Sequence, residues 1–233
     1  ENFDPEHFDL EAVNARFYAQ CVVAEIPLYD AGTLAAFTPA QLVEVLLENE
    51  DRVRRNIIDE CARRGDAMLE VLAAWSQSDP GKELESPGFW WLRLHAVMIL
   101  GLVAGERAGL LLFEYVRGMS DEADSNLQGW ISGYWPALFF NKPDVIGAKL
   151  RDYCEDKCIY RYMRSDIFNV VIAFARRESQ TELDKALDWA ARIAADEKED
   201  WDFRLLVADT LLDFPRQRHK ALLDALAARQ KGF

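Results

Sequence analysis

The sequence predicts an all-α protein in which about five helix pairs stack into an α-α superhelix, or solenoid. Apolar residues recur at helical spacing along most of the 233 residues. Breaks interrupt this periodicity at even intervals, and no alternating apolar run bounded by hairpin residues indicates a strand. Together these three observations favour repeated helix pairs over any architecture that contains a sheet.

Helical periodicity is clear from residue 38 onward. Met68, Val71, Leu72 and Trp75 stand at positions i, i+3, i+4 and i+7, which places them along one side of a helix. Comparable apolar stripes recur in two later stretches, formed by Ile167, Val170, Val171 and Phe174 and by Leu183, Leu187, Ala190 and Ala194.

Helix starts are marked by capping residues. Thr38 is followed by Pro39 and then, three residues after the threonine, by Gln41, a pattern typical of a capping box. Residues 179–182 repeat the pattern, and Pro143 is expected to open another helix.

Five breaks divide the helical region into pairs. With Gly65, Gly105, Asn141, Ser179 and Pro215 as markers, the spacings are 40, 36, 38 and 36 residues. A recurring unit of this size predicts a solenoid, and an irregular bundle of evenly sized helices is the alternative. The predicted pairs are 50–63 with 66–77, 88–103 with 105–118, 126–141 with 143–157, 160–177 with 180–196, and 201–213 with 216–230.

Three regions depart from this regularity. Residues 78–88 contain two Pro-Gly pairs and are expected to form a longer loop. Pro136 lies inside an apolar run and is expected to kink or split its helix. Residues 1–37 are predicted to be an acidic N-terminal cap on a repeat domain that spans 38–233. This cap would contain one helix at about 9–21, and no clear periodicity follows that helix.

Composition limits the classes of function. Half of the residues are hydrophobic, which excludes a disordered chain. The net charge is −13, of which −9 lies in residues 1–50, and no segment has the excess of basic residues that nucleic-acid binding requires. No apolar run is long enough to span a bilayer and no signal-peptide pattern is present. We therefore expect a cytoplasmic protein without a membrane or nucleic-acid partner, and its oligomeric state does not follow from the sequence.

No motif for catalysis, a metal or a cofactor is present. The sequence has no phosphate-binding glycine loop, nucleophile elbow, EF-hand spacing or H-E-x-x-H pattern. His95 lies on an apolar helix, and we interpret it as a packed residue. Cys154 and Cys158 would share one face of a continuing helix, where ordinary packed or half-exposed thiols are favoured over a metal or redox pair. The acidic run 196–202 is expected to be a solvated turn.

Two stretches resemble HEAT-like repeat proteins, including the short lyase-type HEAT repeats of many bacterial proteins. One is Asp51–Asn56 through Gly65–Asp66, and the other runs from Leu94–Gly101 through a tight turn to Glu106–Ala108. The resemblance covers about residues 40–231 and implies scaffolding or partner binding rather than an enzymatic activity. The HEAT-like iron hydroxylases use His-Glu pairs, which this sequence lacks. The chain departs from the family pattern in its aromatic richness and in the proline-interrupted run.

The resemblance implies one candidate surface. In HEAT-like stacks the second helix of each pair lines the concave face, where mixed charges would suit a protein or peptide partner. The candidate residues there are Glu106, Tyr115, Lys149, Asp152, Lys185 and Asp188.

A second candidate site is the aromatic cluster around Pro136. Aromatic residues at helical spacing usually belong to the core, and an exposed patch or pocket formed by Trp130, Tyr134 and Trp135 is the alternative. The sequence therefore predicts a protein-interaction scaffold. A ligand-binding protein or an enzyme with a pocket near Pro136 is the alternative, and nucleic-acid binding is less favoured.

Overall fold

The structure, a computed structural model, describes residues 26–76, 87–118 and 125–230, and every regular element in these ranges is a helix. The predicted helix at about 9–21 lies outside the described residues, as does most of the predicted loop at 78–88. Residues 87 and 88 already belong to a helix.

The described helices follow the predicted pairs. Their bounds are α1 (Ala31–Ala36), α2 (Pro39–Asn49), α3 (Arg55–Arg63), α4 (Asp66–Ser76), α5 (Pro87–Leu102), α6 (Glu106–Gly118), α7 (Ser125–Ile131), α8 (Trp135–Leu138), α9 (Asp144–Glu155), α10 (Arg161–Glu178), α11 (Gln180–Ala195), α12 (Trp201–Asp213) and α13 (Lys220–Arg229). The predicted pairs correspond to α3 with α4, α5 with α6, α7 and α8 with α9, α10 with α11, and α12 with α13. The shorter pair α1 and α2 precedes them.

Capping side chains begin several helices where the sequence predicts. Thr38 Oγ1 accepts a hydrogen bond from the Gln41 N–H (3.3 Å), and Gln41 Oε1 accepts one from the Thr38 N–H (2.9 Å). The predicted capping box at the start of α2 is therefore confirmed. Ser179 Oγ accepts a hydrogen bond from the Glu182 N–H (3.1 Å) at the start of α11, and α9 begins directly after Pro143.

Two glycines form predicted turns within helix pairs. Gly65 has a φ of +53° between α3 and α4, and Gly105 has a φ of +100° between α5 and α6. Glycine is favoured at such angles because it has no Cβ to clash with the backbone. Both turns lie where the sequence predicts a break.

The helices pack in two layers. The first helices of successive pairs contact one another in series, α1 against α3, then α5, α8, α10 and α12. The second helices do the same from α2 through α4 and α6 to α9. A continuous apolar core fills the space between the layers, and its members include Leu46, Leu72, Ile99, Phe168 and Val207, each at most 1 % exposed.

The helix that contains Pro136 is split, as predicted. α7 ends at Ile131, a 3-10 turn spans Ser132–Tyr134, and α8 consists of only four residues. Pro136 lies in the first turn of α8, where a backbone N–H has no acceptor within the helix. The N–H that proline lacks therefore costs α8 no hydrogen bond. As a result α8 is far shorter than its neighbours in the first layer, α5 with 16 residues and α10 with 18.

Basic side chains bind the carbonyl ends of first-layer helices. Arg64 donates to two carbonyl oxygens at the end of α1 (3.0 Å each), and Lys142 Nζ donates to two at the end of α5 (3.2 and 2.6 Å). Arg177 donates to two in the turn after α8. A cation suits this position because the carbonyl end of a helix is electronegative. Lys142 is 2 % exposed, and burial lowers its pKa to about 8.

One local arrangement occurs twice, forty residues apart, at the starts of α10 and α12. The Nε of Arg164 and the Nε of Arg204 each donate to the carbonyl oxygen ten residues earlier (2.7 and 2.8 Å). In the preceding turns, Asp156 and Asp196 each accept the N–H two residues ahead at 2.9 Å. Arg164 also forms a bidentate ion pair with Glu199 (2.9 and 2.8 Å).

One prediction near these turns is wrong. The acidic turn is not fully solvated, because the Glu199 side chain is only 5 % exposed beside Arg164. A shared face for Cys154 and Cys158 required a helix that continues through both residues. α9 instead ends at Glu155, so Cys154 is buried in the helix while Cys158 is exposed in the turn that follows.

Candidate interaction groove

A groove crosses the surface of the first-helix layer at α8. It consists of two cavities, of about 570 Å³ between α8, α10 and α12 and about 430 Å³ between α3, α5 and α8. Ala137 belongs to the walls of both, so the cavities adjoin one another across α8. One turn of helix cannot fill the space between two long helices, and we call the resulting pair of cavities the α8 groove.

The larger cavity has an apolar lining with a basic edge. Ala137 and Phe140 line it from α8 and the turn that follows, and Ile172 lines it from α10. Phe214 lines it from the end of α12. The guanidinium of Arg176 lies over the Phe214 ring, 5.7 Å from its centroid, which holds a positive charge at the edge of the cavity.

Charge at the groove comes mainly from arginines. Arg177 is held by Asp144 (2.9 Å), and Arg55 is paired within its own helix. Arg176 makes no ion pair with any residue that the structure describes, while Asp213 adds one carboxylate to the wall. Arg176 is therefore the cation in this groove that can meet the negative charge of a ligand.

The smaller cavity is more apolar. Ile58 lines it from α3, Leu102 from α5 and Tyr134 from the 3-10 turn. A Cβ on Gly101 would collide with the side chain of Leu138. Glycine at this position of α5 therefore lets α8 lie directly against that helix.

Large apolar side chains are exposed along the groove. Phe140 is 68 % exposed, Tyr134 58 % and Leu102 41 %. Single exposed apolar residues are common on protein surfaces, but a contiguous set beside a cavity is typical of an interaction site. The α8 groove can therefore take up apolar side chains of a binding partner.

The predicted aromatic pocket is only partly assembled. Trp135 is fully buried in the core, so its predicted place in a pocket wall is wrong. Trp130 is exposed but lies outside both cavities, with its ring edge-on to Trp90 (6.0 Å) and Trp91 (5.8 Å). Of the three predicted residues, only Tyr134 lines the groove.

Two of the second-helix candidates are engaged within the chain. Lys185 pairs with Glu182 (2.5 Å). Asp188 accepts hydrogen bonds from Arg218 (2.7 Å) and His219 (2.8 Å), which together hold the pKa of its carboxyl below the usual value. A partner would have to compete with these contacts for either residue.

The other second-helix candidates differ in exposure. Tyr115 is 7 % exposed and packs in the core, so its predicted role on the surface is wrong. Glu106, Lys149 and Asp152 are exposed and form no ion pair within the described ranges. Lys149 and Asp152 lie on α9 and Glu106 on α6, and none of the three lines the cavities of the α8 groove.

Neither a metal site nor a membrane span is found among the described residues. They contain no cluster of three or more His, Cys, Asp or Glu side chains able to hold a metal, and no helix long and apolar enough to cross a bilayer. His95 is buried with its Nε2 2.8 Å from the Glu50 carbonyl oxygen, and burial lowers its pKa. The interpretation of His95 as a packed residue is confirmed.

Comparison with known proteins finds no matching family model, no matching curated protein and no matching solved structure. The function is therefore inferred from the chemistry of the groove itself.

Sequence reasoning missed most of the groove residues. Leu102 and Ile172 stand in apolar helices where the periodicity assigns them to the core, and Phe214 stands in a predicted break between two helices. Arg176 stands among charged residues at the end of a helix, with nothing local to distinguish it. The one available signal was Pro136, which marks the interruption that opens the groove.

Proposed function

We propose that this chain is a protein-interaction module, a HEAT-like α-α superhelix whose α8 groove binds a segment of a partner protein. The observation that carries the proposal is the pair of adjoining cavities across α8 with three large apolar side chains exposed along them. The serial contacts of the first helices, together with the arrangement repeated at α10 and α12, support the superhelical repeat.

The chemistry of the groove favours a partner segment that is mainly apolar and carries acidic residues. An apolar side chain that enters the larger cavity would contact Phe140 and Ile172 and leave water, a gain of about 1.5–3 kcal/mol when burial is complete. A carboxylate on the same segment would meet Arg176 at the edge. Such an exposed charge pair contributes more to orientation and specificity than to affinity.

Peptide selection on the full chain tests this proposal. Short peptides selected from a displayed random library are expected to combine apolar and acidic residues, and their affinity is measured by fluorescence polarisation. Phe140→Glu is expected to weaken binding by at least about tenfold, since loss of an aromatic hot spot costs about 2 kcal/mol or more and the new charge repels the peptide's acids. The fold should tolerate the change because the side chain is largely exposed.

Val145→Glu is the matched control. Val145 is an exposed apolar residue (45 %) in α9 and lies outside both cavities, so its replacement introduces the same charge elsewhere. Its affinity should equal that of the wild type. Selected peptides that bind the Phe140→Glu variant as well as they bind the control would refute the groove as the binding site.

A small apolar ligand is a second candidate for the larger cavity. Its volume of about 570 Å³ falls within the range of about 300–1,000 Å³ typical of ligand pockets. An apolar dye that binds one site per chain, and that a selected peptide cannot displace, would favour this alternative over the peptide-binding one.

A further inference from the structure

The last two helix pairs are joined by side chains of opposite charge. Lys157, in the turn before α10, pairs with Asp196 in the turn before α12 (2.9 Å). Arg164, in the first turn of α10, forms its bidentate pair with Glu199. In both contacts the earlier pair of helices supplies the cation, and the following pair supplies the carboxylate. One helix pair is therefore attached to the next by carboxylates that reach back to its cations.

Arg204 takes the place of Arg164 in the following helix pair, but no carboxylate binds it. It is 4 % exposed, and its Nε donates to the carbonyl oxygen ten residues earlier, as the Nε of Arg164 does. Its Nη atoms make no hydrogen bond and no ion pair with any residue that the structure describes. The guanidinium lies 5.1 Å from the centroid of the Trp201 ring, which attracts the charge but accepts no strong hydrogen bond. Arg204 therefore keeps buried N–H donors that a carboxylate can accept.

The acidic side chains close to Arg204 in the sequence have other partners. Glu197 and Asp202 each pair with a different arginine (2.8 and 3.4 Å). Asp200 accepts a backbone N–H as the cap of α12 (2.9 Å). A carboxylate that binds Arg204 as Glu199 binds Arg164 would therefore come from outside the described residues.

The side of α12 next to Arg204 is apolar and open. Leu205 and Leu212 stand seven residues apart, so they lie on one side of the helix, and Arg204 lies at the edge of that side. Leu212 is 61 % exposed. Ile172, forty residues earlier, is only 5 % exposed on α10, against which α12 packs. The described residues contain no first-layer helix after α12, and we call this open surface, formed by Arg204, Leu205 and Leu212, the α12 face.

We propose that the α12 face is a second interaction site, which binds a partner helix with a glutamate or aspartate in the turn before it. The carboxylate pairs with Arg204 as Glu199 pairs with Arg164, and apolar residues of the partner helix cover Leu212. Charge complementarity at Arg204 and continuity with the α10–α12 interface carry this assignment. A bidentate pair with a planar guanidinium also fixes the orientation of the bound helix. The site is separate from the α8 groove, whose cavities neither Arg204 nor Leu212 lines.

A fluorescent peptide that copies residues 196–213 tests the site on the full chain. It contains Glu199 and the helix that already delivers a carboxylate to a buried arginine in this fold. Its binding is measured by fluorescence polarisation. Glu199→Gln in the peptide should weaken binding by at least about tenfold, because a neutral amide cannot replace the charged bidentate pair. Absence of binding, or equal binding of the two peptides, would overturn the proposal.

Variants of the full chain locate the bound peptide. Leu212→Glu places a charge on the α12 face at an exposed position, and it should weaken binding by at least about tenfold because the peptide would bury that charge without a partner. Val145→Glu adds the same charge at an exposed position of α9 and should leave the affinity unchanged. Binding that survives Leu212→Glu would overturn the proposal. Self-association of the chain that Leu212→Glu abolishes, measured by sedimentation velocity, would identify a second copy as the occupant and overturn the assignment to a partner helix.

Replacement of each arginine by methionine gives a readout in the chain without peptide. Arg204→Met and Arg164→Met both remove a hydrogen bond to a helix-end carbonyl oxygen, but only Arg164→Met leaves a buried carboxylate without its partner. The midpoint of urea unfolding should therefore fall far less for Arg204→Met. The Arg204→Met variant should also bind the peptide at least about tenfold more weakly than the wild type. Equal falls in the midpoint for the two variants would show that Arg204 is satisfied within the chain and would overturn the proposal.

Discussion

Replacement of Glu199 by alanine is expected to lower the free energy of unfolding by about 3–5 kcal/mol. Glu199 and Arg164 are 5 % and 2 % exposed, and their bidentate pair joins the start of α10 to the turn before α12. Glu199→Ala leaves the Arg164 guanidinium buried without its carboxylate, which is far more costly than the loss of a surface pair. For a protein of this length, the midpoint of thermal unfolding should fall by roughly 10 °C.

Urea unfolding followed by tryptophan fluorescence measures this difference, and Glu197→Ala is its control. Glu197 lies in the same turn but is 76 % exposed and pairs with the exposed Arg229. Its removal should cost about 0–1 kcal/mol. Equal costs for the two variants would refute the reasoning that burial makes the Arg164–Glu199 pair important.

The same pair should influence stability in acid. The hydrogen bonds from Arg164 lower the pKa of Glu199 below its usual value of 4.5. The pair therefore contributes its full stabilising free energy at pH values above the pKa that Glu199 has in the unfolded chain. That contribution is lost as the pH falls through the lower pKa that Glu199 has in the folded protein. The Glu199→Ala variant should lose less stability than the wild type over this acidic range, whereas the Glu197→Ala control should follow the wild type.

Two further predictions concern the turns and the thiols. Gly105→Ala should reduce the free energy of unfolding by about 1–2 kcal/mol, because alanine is strained at the positive φ of this position. Gly129→Ala, in an exposed helical position, should raise the free energy of unfolding by up to about 1 kcal/mol. Urea titrations in which both variants change the free energy of unfolding in the same direction would contradict this reasoning. In native protein treated with a thiol reagent and mapped by mass spectrometry, Cys158 should react well before Cys61 and Cys154, since burial raises the pKa of both of those thiols; equal labelling rates would contradict their burial.

Features with a local cause could be predicted from the sequence. The capping box at Thr38 and the turn at Gly105 depend on residues within a few positions, so their chemistry is visible in the chain itself. The split at Pro136 is equally local. The helix pairs follow from these boundaries together with the apolar periodicity.

Features that depend on distant neighbours could not be predicted. Trp135 and Phe140 belong to the same aromatic run, yet one is fully buried and the other 68 % exposed, because α5 and α10 cover only one side of α8. Asp188 looked like a free surface carboxylate, but Arg218, thirty residues later, binds it. Local spacing contains no information about either contact.

The cations at the carbonyl ends of the first-layer helices couple neighbouring pairs in one direction. Arg64, Lys142 and Arg177 each belong to a later pair than the helix end that they bind. When a later pair unfolds, the preceding helix loses the donors that satisfy its last carbonyl groups. Local unfolding should therefore spread toward the N-terminus more readily than toward the C-terminus, a directionality that the same helix pairs without these contacts would lack.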